Sequence, residues 1–347
     1  MHLRDLLHGA QISFSADTEV LSPAESGLRD RVDLVIEEGR LGLYERNSRR
    51  ILDIELCQQL SPALSVWLTE VRKVRWPLRK GSLRLRVGPL GQKGLWLDFA
   101  NVDIKALLEE KSLLLQLQAQ AFVEIGQKKK VPVLIDGVFK LKEAAPQVWF
   151  QTWIQDTPVD LFCSVGTFTQ PSMRANRDLA LTIETWLDHS GAKNILEFGS
   201  GIGNLSFPAL GTNRFLTACE IDEGALKGFT KSLEALSKNP AYSDCGDRVR
   251  LLAGDFQNKN PQDFEKFDAV LVNPPRSGLK EFLGPLVNAQ NKPQHFIYMS
   301  CFAETFVEDG KSLQKAGYKI SELKIMDQFP QTTHYEILCL WTLSSLQ

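Results

Sequence analysis

The sequence has 347 residues, a formal net charge of −2 and ordinary apolar and charged fractions, which indicates globular material of about two domains. It has no run near the ~20 apolar residues that cross a bilayer, and residues 1–12 lack a basic segment followed by an apolar run, so we predict a cytoplasmic protein with no membrane partner. The near-neutral charge excludes a general attraction to polyanions, so affinity for nucleic acid must come from local basic patches.

The cysteines are scattered along the chain without CxxC spacing. They are Cys57, Cys163, Cys219, Cys245, Cys301 and Cys339. This pattern favours reduced thiols and indicates neither a disulfide framework nor a local zinc site. We therefore predict no metal.

The first part of the chain, residues 1–165, is predicted to be an α+β domain, because short strand-like runs alternate there with amphipathic segments. A basic stretch from Arg72 to Arg86 contains Trp76 and no acid, and a second basic cluster covers residues 128–130. Cations can follow phosphates while an aromatic ring stacks on bases. The candidate RNA contacts are Arg72, Arg75, Arg79 and Lys80. The alternative is an ordinary solvated face with a hairpin turn.

The second part, residues 166–347, alternates strand-like and helix-like segments regularly, which predicts a doubly wound α/β sheet of the Rossmann type. The expected strands are 194–198, 215–221, 249–254, 267–272, 295–300, 318–325 and 334–341. Only a short segment, which includes residues 327–333, separates the last two strands, and it is too short for a crossover helix. These two strands should therefore pair antiparallel.

A glycine-rich loop, Glu197-Phe198-Gly199-Ser200-Gly201-Ile202-Gly203-Asn204, follows the first strand of this sheet. Glycines let the backbone turn tightly into a helix and let a ligand approach the N–H groups. The candidate cofactor residues are Phe198, Gly199, Gly201, Gly203 and Asn204. Alone, the loop fits S-adenosylmethionine or a nicotinamide or flavin cofactor equally well.

Acidic residues at the next two strand ends narrow this choice. Glu220 can accept hydrogen bonds from ribose hydroxyls, although it can also be a helix N-terminal acid. Asp255, beside Phe256, can bind the adenine amino group while the ring stacks on the base. The glycine loop and the two acids together favour S-adenosylmethionine.

The fourth strand ends in Asn273-Pro274-Pro275-Arg276. The prolines stiffen the loop, so we expect the Asn273 amide to face the crevice and Arg276 to contact substrate. An aromatic residue after the prolines would indicate methylation of an exocyclic amino group, but arginine stands there. The bland alternative is a turn that merely ends the strand.

Cys301, at the end of the fifth strand, is the candidate nucleophile. Methyl transfer to pyrimidine C5 benefits from a thiolate that adds to C6, and the C5 proton must afterwards be taken by a general base. Glu336, at the start of the last strand, is the candidate base. Taken alone, a strand-end cysteine is more often a small buried hydrophobe.

These motifs, together with Phe168-Thr169-Gln170-Pro171 and residues 327–336, resemble those of the RNA uracil-C5 methyltransferase family. The resemblance implies a class I methyltransferase fold, S-adenosylmethionine as the methyl donor, and tRNA or rRNA as a structured substrate whose uridine is flipped out. It implies that Gln170, Gly199, Asn204, Glu220 and Asn273 line the donor and target-base site, that Cys301 is the nucleophile and that Glu336 is the base. It also implies that residues 39–57 belong to an RNA-contacting region.

The sequence departs from the family at several positions. Many members carry an N-terminal TRAM domain and an iron–sulfur cluster with four cysteine ligands, but only Cys57 has a counterpart here, so we expect neither. The family usually has aspartate at Asn273, and Asn-Pro where Phe302 and Ala303 stand. Two alternatives therefore stay open. One is an amino-group methyltransferase acting on RNA or a small molecule, and the other is an RNA-binding module that has kept the fold without turnover.

Overall fold

The computed structural model describes residues 2–12, 14, 18–126, 129–254, 264–279 and 282–344. The strands are β1 (Thr18–Leu21), β2 (Arg31–Glu37), β3 (Arg40–Tyr44), β4 (Ile51–Asp53), β5 (Lys80–Val87), β6 (Lys93–Asp98), β7 (Phe122–Ile125), β8 (Lys130–Ile135), β9 (Val138–Glu143), β10 (Gln147–Ile154), β11 (Thr157–Cys163), β12 (Asn194–Phe198), β13 (Phe215–Glu220), β14 (Val249–Ala253), β15 (Ala269–Val272), β16 (His295–Ser300), β17 (Tyr318–Met326) and β18 (Glu336–Leu343). The helices are α1 (His2–Gly9), α2 (Pro62–Arg72), α3 (Asn101–Glu109), α4 (Lys111–Gln120), α5 (Met173–Ser190), α6 (Ser206–Leu210), α7 (Glu223–Leu236), α8 (Leu283–Asn288) and α9 (Ala303–Lys315).

The chain divides into two compact units. The central unit consists of Ala24–Gln151 and Leu161–Met173, and the α/β unit consists of Met1–Pro23, Thr152–Asp160 and Arg174–Gln347. This division differs from the single boundary that the sequence predicts between residues 165 and 166. The physical reason is a pairing between distant segments, because β1 adds to the sheet of the α/β unit by pairing parallel with β17.

The central unit is an eight-stranded sheet in the order β4-β3-β2-β5-β6-β7-β8-β9. Helix α2 covers part of it and buries Leu64, Trp67, Leu68 and Val71, whose spacing of three to four residues places them on one helix face. The helix begins at Pro62, and the Ser61 side chain accepts a hydrogen bond from the Leu64 N–H as its N-cap. The predicted α+β character of this part is confirmed.

The α/β unit contains a second eight-stranded sheet, in the order β1-β17-β18-β16-β15-β12-β13-β14. Strands β14, β13, β12, β15 and β16 pair parallel. Strand β18 runs antiparallel to both β16 and β17, which confirms the predicted antiparallel final strand. The parallel strands end at one edge of the sheet, and that edge carries the candidate site.

Aromatic rings fill much of the core of the α/β unit. Phe198 packs against Phe282 with ring centroids 4.5 Å apart, and Phe264 lies against both rings. Edge-to-face contacts of this kind add to the free energy gained by removing apolar area from water. Within the described ranges, no helix has the length and apolarity needed to cross a membrane.

Candidate functional site

The site residues follow four neighbouring parallel strands. Cys301 follows β16, Asn273 follows β15, Gly199 follows β12, and Glu220 ends β13. Adjacent strands lie ~4.8 Å apart, so this row extends for roughly 14 Å along the carboxyl edge of the sheet. Ligands of open α/β sheets bind at this edge.

The first two glycines of the glycine-rich loop leave room for a ligand. Gly199 and Gly201 have φ angles of 69° and 57°, and a Cβ added to either would meet no protein atom within 4 Å. A Cβ on Gly203 would lie 2.5 Å from the Phe207 ring. The third glycine therefore serves packing, whereas the first two keep the backbone open to the crevice.

The Glu220 carboxylate holds the backbone of this loop through hydrogen bonds. Its Oε2 accepts a hydrogen bond from the Gly201 N–H at 2.8 Å, and its Oε1 accepts from the N–H groups of Ile221 and Asp222 at 2.7 and 2.8 Å. A carboxylate has about four acceptor positions, so one remains on Oε2 for a ribose hydroxyl. The open glycines and this oriented acid fit the nucleoside part of S-adenosylmethionine.

Other predicted cofactor residues have different surroundings. The amide of Asn204 forms a reciprocal pair with Asn176, at 2.7 and 2.8 Å, which anchors the end of the loop to α5. The side chain of Phe198 is buried in the core, so only its backbone can face a ligand. Gln170 lies in the central unit and is buried. Asp255 lies outside the described residues.

The structure brings Cys301 and Glu336 together. Ser300 on β16 is paired with Ile337 on β18, so the next position, Cys301, comes opposite Glu336 across an antiparallel pair. Side chains opposite each other in such a pair have Cβ atoms about 5 Å apart. The thiol is half-buried and the carboxyl is buried.

Burial and neighbouring charges set the ionisation of this pair. Burial raises the pKa of Glu336 to about 7, although a hydrogen bond from Gln328 and the charge of Arg276 act in the opposite direction. Burial also raises the pKa of Cys301, as does the charge of Glu336, whereas a hydrogen bond from Arg276 and its positive charge lower it. A general base works best with a pKa near the operating pH, and Glu336 meets that condition.

Two contacts of this cluster are not evident from the sequence. Arg276 was predicted to contact substrate, and its guanidinium also lies at the thiol. Gln328 is buried and forms a hydrogen bond with Glu336. Its place in the segment 327–336 is the signal that could have identified it, because that segment also supplies the base.

The turn that carries the nucleophile is held by Ser300. The Ser300 hydroxyl accepts a hydrogen bond from the Phe302 N–H at 3.2 Å and lies 3.1 Å from the Phe302 carbonyl, to which it can donate. Ala303 is buried and starts α9. The turn therefore has a hydrogen-bonded anchor although Phe302 and Ala303 replace the Asn-Pro pair of the family.

The predicted RNA-contacting cations fall into two groups. Arg72 binds Asp53 through two hydrogen bonds of 2.7 and 2.8 Å, and Lys80 pairs with Glu37 at 3.0 Å. The side chains of Arg75 and Arg79 are exposed and form no hydrogen bond or ion pair with the part of the chain that the structure describes. These two arginines and Trp76 line an open groove of the central unit.

Metal ligands were not predicted. No group of three or more His, Cys, Asp or Glu side chains among the described residues is placed to hold a metal ion. The expectation that the protein has no iron–sulfur cluster stays a prediction.

Comparisons with known proteins identify related sequences. The family model for tRNA (uracil-5-)-methyltransferase matches residues 248–342, which include Asn273, Cys301 and Glu336. An uncharacterized RNA methyltransferase of Bdellovibrio bacteriovorus is 52% identical over 340 residues, which cover 97% of this chain and 87% of that protein. The 23S rRNA (uracil(1939)-C(5))-methyltransferase RlmD of Marinomonas posidonica is 26% identical, with coverage of 97% and 73%.

A solved structure shows the same fold. The Pyrococcus abyssi tRNA (uracil-54, C5)-methyltransferase, crystallised with S-adenosyl-L-homocysteine, superimposes with a TM-score of 0.68 at 18% identity and covers 98% of this chain and 81% of its own. With 52% identity to an RNA methyltransferase over nearly the whole chain and a match to the uracil-5 family model, the chain belongs to the RNA uracil-C5 methyltransferase family, whose methyl donor is S-adenosyl-L-methionine.

Proposed function

We propose that the protein methylates C5 of a uridine in structured RNA through a covalent adduct on Cys301, with Glu336 as the base that removes the C5 proton. The observation that carries this proposal is the register of β16 and β18, which sets the thiol opposite a buried carboxyl at the same strand ends. Arg276 forms a hydrogen bond with the thiol, and its positive charge lowers the pKa of the carboxyl. A nucleophile, a base and a cation therefore meet at the sheet edge that also carries the glycine-rich loop.

The reaction begins at the thiol. Cys301 adds as the thiolate to C6 of the uracil, and the electron pair of the C5–C6 double bond moves to make C5 nucleophilic. Arg276 stabilises the thiolate through its hydrogen bond and charge. S-adenosylmethionine held by the glycine-rich loop and Glu220 would supply the electrophilic methyl group for C5, and the S–CH3 bond electrons would stay on its sulfur as the neutral thioether.

The second half regenerates the enzyme. Glu336 accepts the C5 proton, the C5–C6 double bond forms again, and the sulfur leaves C6 with its bonding electrons. The pKa of about 7 keeps a large fraction of this carboxyl ionised and basic near neutral pH. Gln328 orients the carboxyl.

Asn273 holds the uracil edge in this scheme. Its amide can accept from N3–H and donate to O4, as a uracil requires. The neighbouring prolines fix the loop. The neutral amide thus replaces the aspartate usual in the family.

The target base must leave its stack, because the reaction needs access to both faces of the ring at C5 and C6. Stacked neighbours cover these faces in a helix. The free arginines Arg75 and Arg79 and the exposed Lys80 supply contacts to the RNA backbone. Of the proteins compared above, the Marinomonas enzyme acts on 23S rRNA and the Pyrococcus enzyme on tRNA. We propose a structured tRNA or rRNA as the substrate class.

The test uses RNA containing 5-fluorouridine together with S-adenosylmethionine. Fluorine cannot leave C5 as a cation, so the adduct on Cys301 should persist as a denaturant-stable protein–RNA band. Cys301→Ala should abolish the band, and Cys245→Ala, a change at a thiol of the same α/β unit that lies outside the predicted RNA-contacting region, should retain it. A wild-type protein that methylates uridine without any such adduct would contradict the mechanism.

The same experiment separates the two alternatives. An amino-group methyltransferase, which the amide of Asn273 favours, would methylate its substrate after Cys301→Ala. An RNA-binding module without turnover would bind RNA and give neither an adduct nor a methylated base.

The groove of the central unit yields a prediction about RNA affinity. Arg75→Ala and Arg79→Ala should each weaken RNA binding several-fold and reduce the slope of log K against log salt by about 1, because each removes one phosphate contact. Fluorescence anisotropy at several salt concentrations measures this slope. Arg72→Ala is the matched control, because Arg72 is bound to Asp53. Unchanged slopes for the Arg75 and Arg79 variants would contradict the assignment.

A further inference from the structure

Asp309, on α9, is a buried carboxylate that lies outside the reacting groups described above. Its Oδ2 accepts a hydrogen bond from the Leu279 N–H at 2.7 Å and another from the Tyr298 hydroxyl at 2.5 Å. One oxygen atom therefore joins the loop after β15, strand β16 and helix α9. The loop carries Arg276, strand β16 leads into Cys301, and helix α9 follows Cys301.

The loop after β15 is shaped to meet this carboxylate. The Gly278 N–H donates to the Pro275 carbonyl at 2.9 Å, which closes a turn with Arg276 as its second residue. Gly278 has a φ of 75°, and a Cβ there would lie 2.7 Å from the Asp309 Oδ2. A side chain at this position would push the turn away from α9, so glycine permits the close approach.

The two hydrogen bonds that Asp309 accepts, here called the clamp, restrict the backbone that carries Arg276. This arginine is exposed, and a long exposed side chain has many rotamers unless the backbone that carries it is fixed. Its turn follows strand β15, which is paired with β16 as far as Val272, and is held at its other end by the hydrogen bond from the Leu279 N–H to Asp309. The same carboxylate holds Tyr298, three residues before Cys301.

We propose that Asp309 is a positioning residue for the proposed reaction, and that it acts by holding the turn of Arg276 in register with the Cys301 thiol. The inference rests on the proposed function only for its role in catalysis. The arrangement of clamp, guanidinium and thiol can be tested without RNA. The charged and titratable groups that face this thiol are Arg276 from the loop, Glu336 from β18 and Tyr298 from its own strand.

The experiment measures the rate at which iodoacetamide alkylates Cys301 from pH 7 to about pH 11, a range wide enough to contain a midpoint that burial has already raised. The reaction is followed at the Cys301 peptide by mass spectrometry. Only the thiolate reacts, so the profile reports the thiol pKa. Asp309→Ala should raise the midpoint by about 0.5–1 pH unit, because the misplaced Arg276 no longer stabilises the thiolate. Arg276→Ala should give a similar shift.

The sign of this shift distinguishes positioning from a direct charge effect. Removing a negative carboxylate near the thiol would, by itself, lower the thiol pKa. A midpoint that rises therefore supports action through Arg276, and a midpoint that falls or stays unchanged in the folded protein overturns it. The double variant of Asp309 and Arg276 should match Arg276→Ala alone, whereas additive shifts would overturn the proposal.

Two further variants guard against a simple loss of folding. Asp309→Asn keeps an acceptor for the Leu279 N–H and should give a smaller rise than Asp309→Ala; if the alanine variant does not fold, a wild-type profile for the asparagine variant overturns the proposal. Glu184→Gln is the matched control, because Glu184 is also buried and accepts a backbone N–H, from Gln155. It should leave the profile unchanged. If the alkylation coupling holds but 5-fluorouridine RNA forms no adduct, the proposed function fails and the positioning role stands.

Discussion

Replacing Glu336 with glutamine is expected to trap the RNA on the protein. Cys301 can still add to C6 and C5 can still take the methyl group, but the C5 proton then has no base to accept it. Turnover should fall by about 10²–10⁴-fold, the usual contribution of a positioned general base. The methylated adduct on ordinary uridine should accumulate to about one RNA per protein and survive denaturing electrophoresis.

The control variants make this result specific. The double variant Cys301→Ala and Glu336→Gln should form no adduct, because the bond to the RNA is made by sulfur. Glu304→Gln makes the same chemical change at an exposed carboxyl near Tyr335 and should turn over normally. If Glu336→Gln methylated uridine within about threefold of the wild-type rate, Glu336 would not be the base.

The candidate site could be predicted from the sequence where local patterns decide its geometry. Regular alternation of strands and helices predicts a parallel sheet, and a parallel sheet places the residues after its strands at one edge. The strand pattern alone therefore predicts that Gly199, Glu220, Asn273 and Cys301 lie at the same edge. The short connection before β18 added Glu336, because an antiparallel hairpin returns the chain to the same edge.

Pairings between distant segments could not be predicted in this way. The parallel pairing of β1 with β17 joins the start of the chain to a strand about 300 residues later, and no local period signals it. The same limit applies to Arg72, which looks like a free cation until Asp53 is placed beside it. A local pattern gives the type of a side chain and its element, but its partner depends on the tertiary fold.

The glycine-rich loop shows a further limit of pattern reading. Phe198 belongs to the motif, yet its ring faces the core because alternate residues of a buried strand point to opposite faces of the sheet. Glu197, the preceding residue, is also buried and accepts a hydrogen bond from Ser206 at 2.5 Å. The loop of Gly199, Gly201 and Gly203 lies between these two partners in the chain.

The ionisation of Glu197 should make the stability of the protein depend on pH. Burial raises the pKa of Glu197 to about 8, and the nearby charge of Glu220 adds to the rise, against an ordinary value of 4.5. The folded protein therefore holds a proton near neutral pH that the unfolded chain has released. The contribution of this group to the free energy of unfolding is complete below pH 4.5 and is lost as the pH rises to about 8. From pH 5 to pH 8 the loss should be about 3–4 kcal/mol.

Glu197→Gln should remove this loss, because a neutral amide needs no proton and its oxygen can still accept from Ser206. Urea unfolding at pH 5, 6.5 and 8 should show wild-type stability falling more steeply than that of the variant, which should be the more stable protein at pH 8. Glu336 shifts the wild-type curve in the same direction but is present in both proteins, so the difference isolates Glu197. Parallel pH dependences would show that Glu197 ionises normally.

Because Glu197 and Ser206 flank the glycine-rich loop, the affinity of the wild-type protein for S-adenosylmethionine should also weaken between pH 6.5 and pH 8. The affinity of the variant should not.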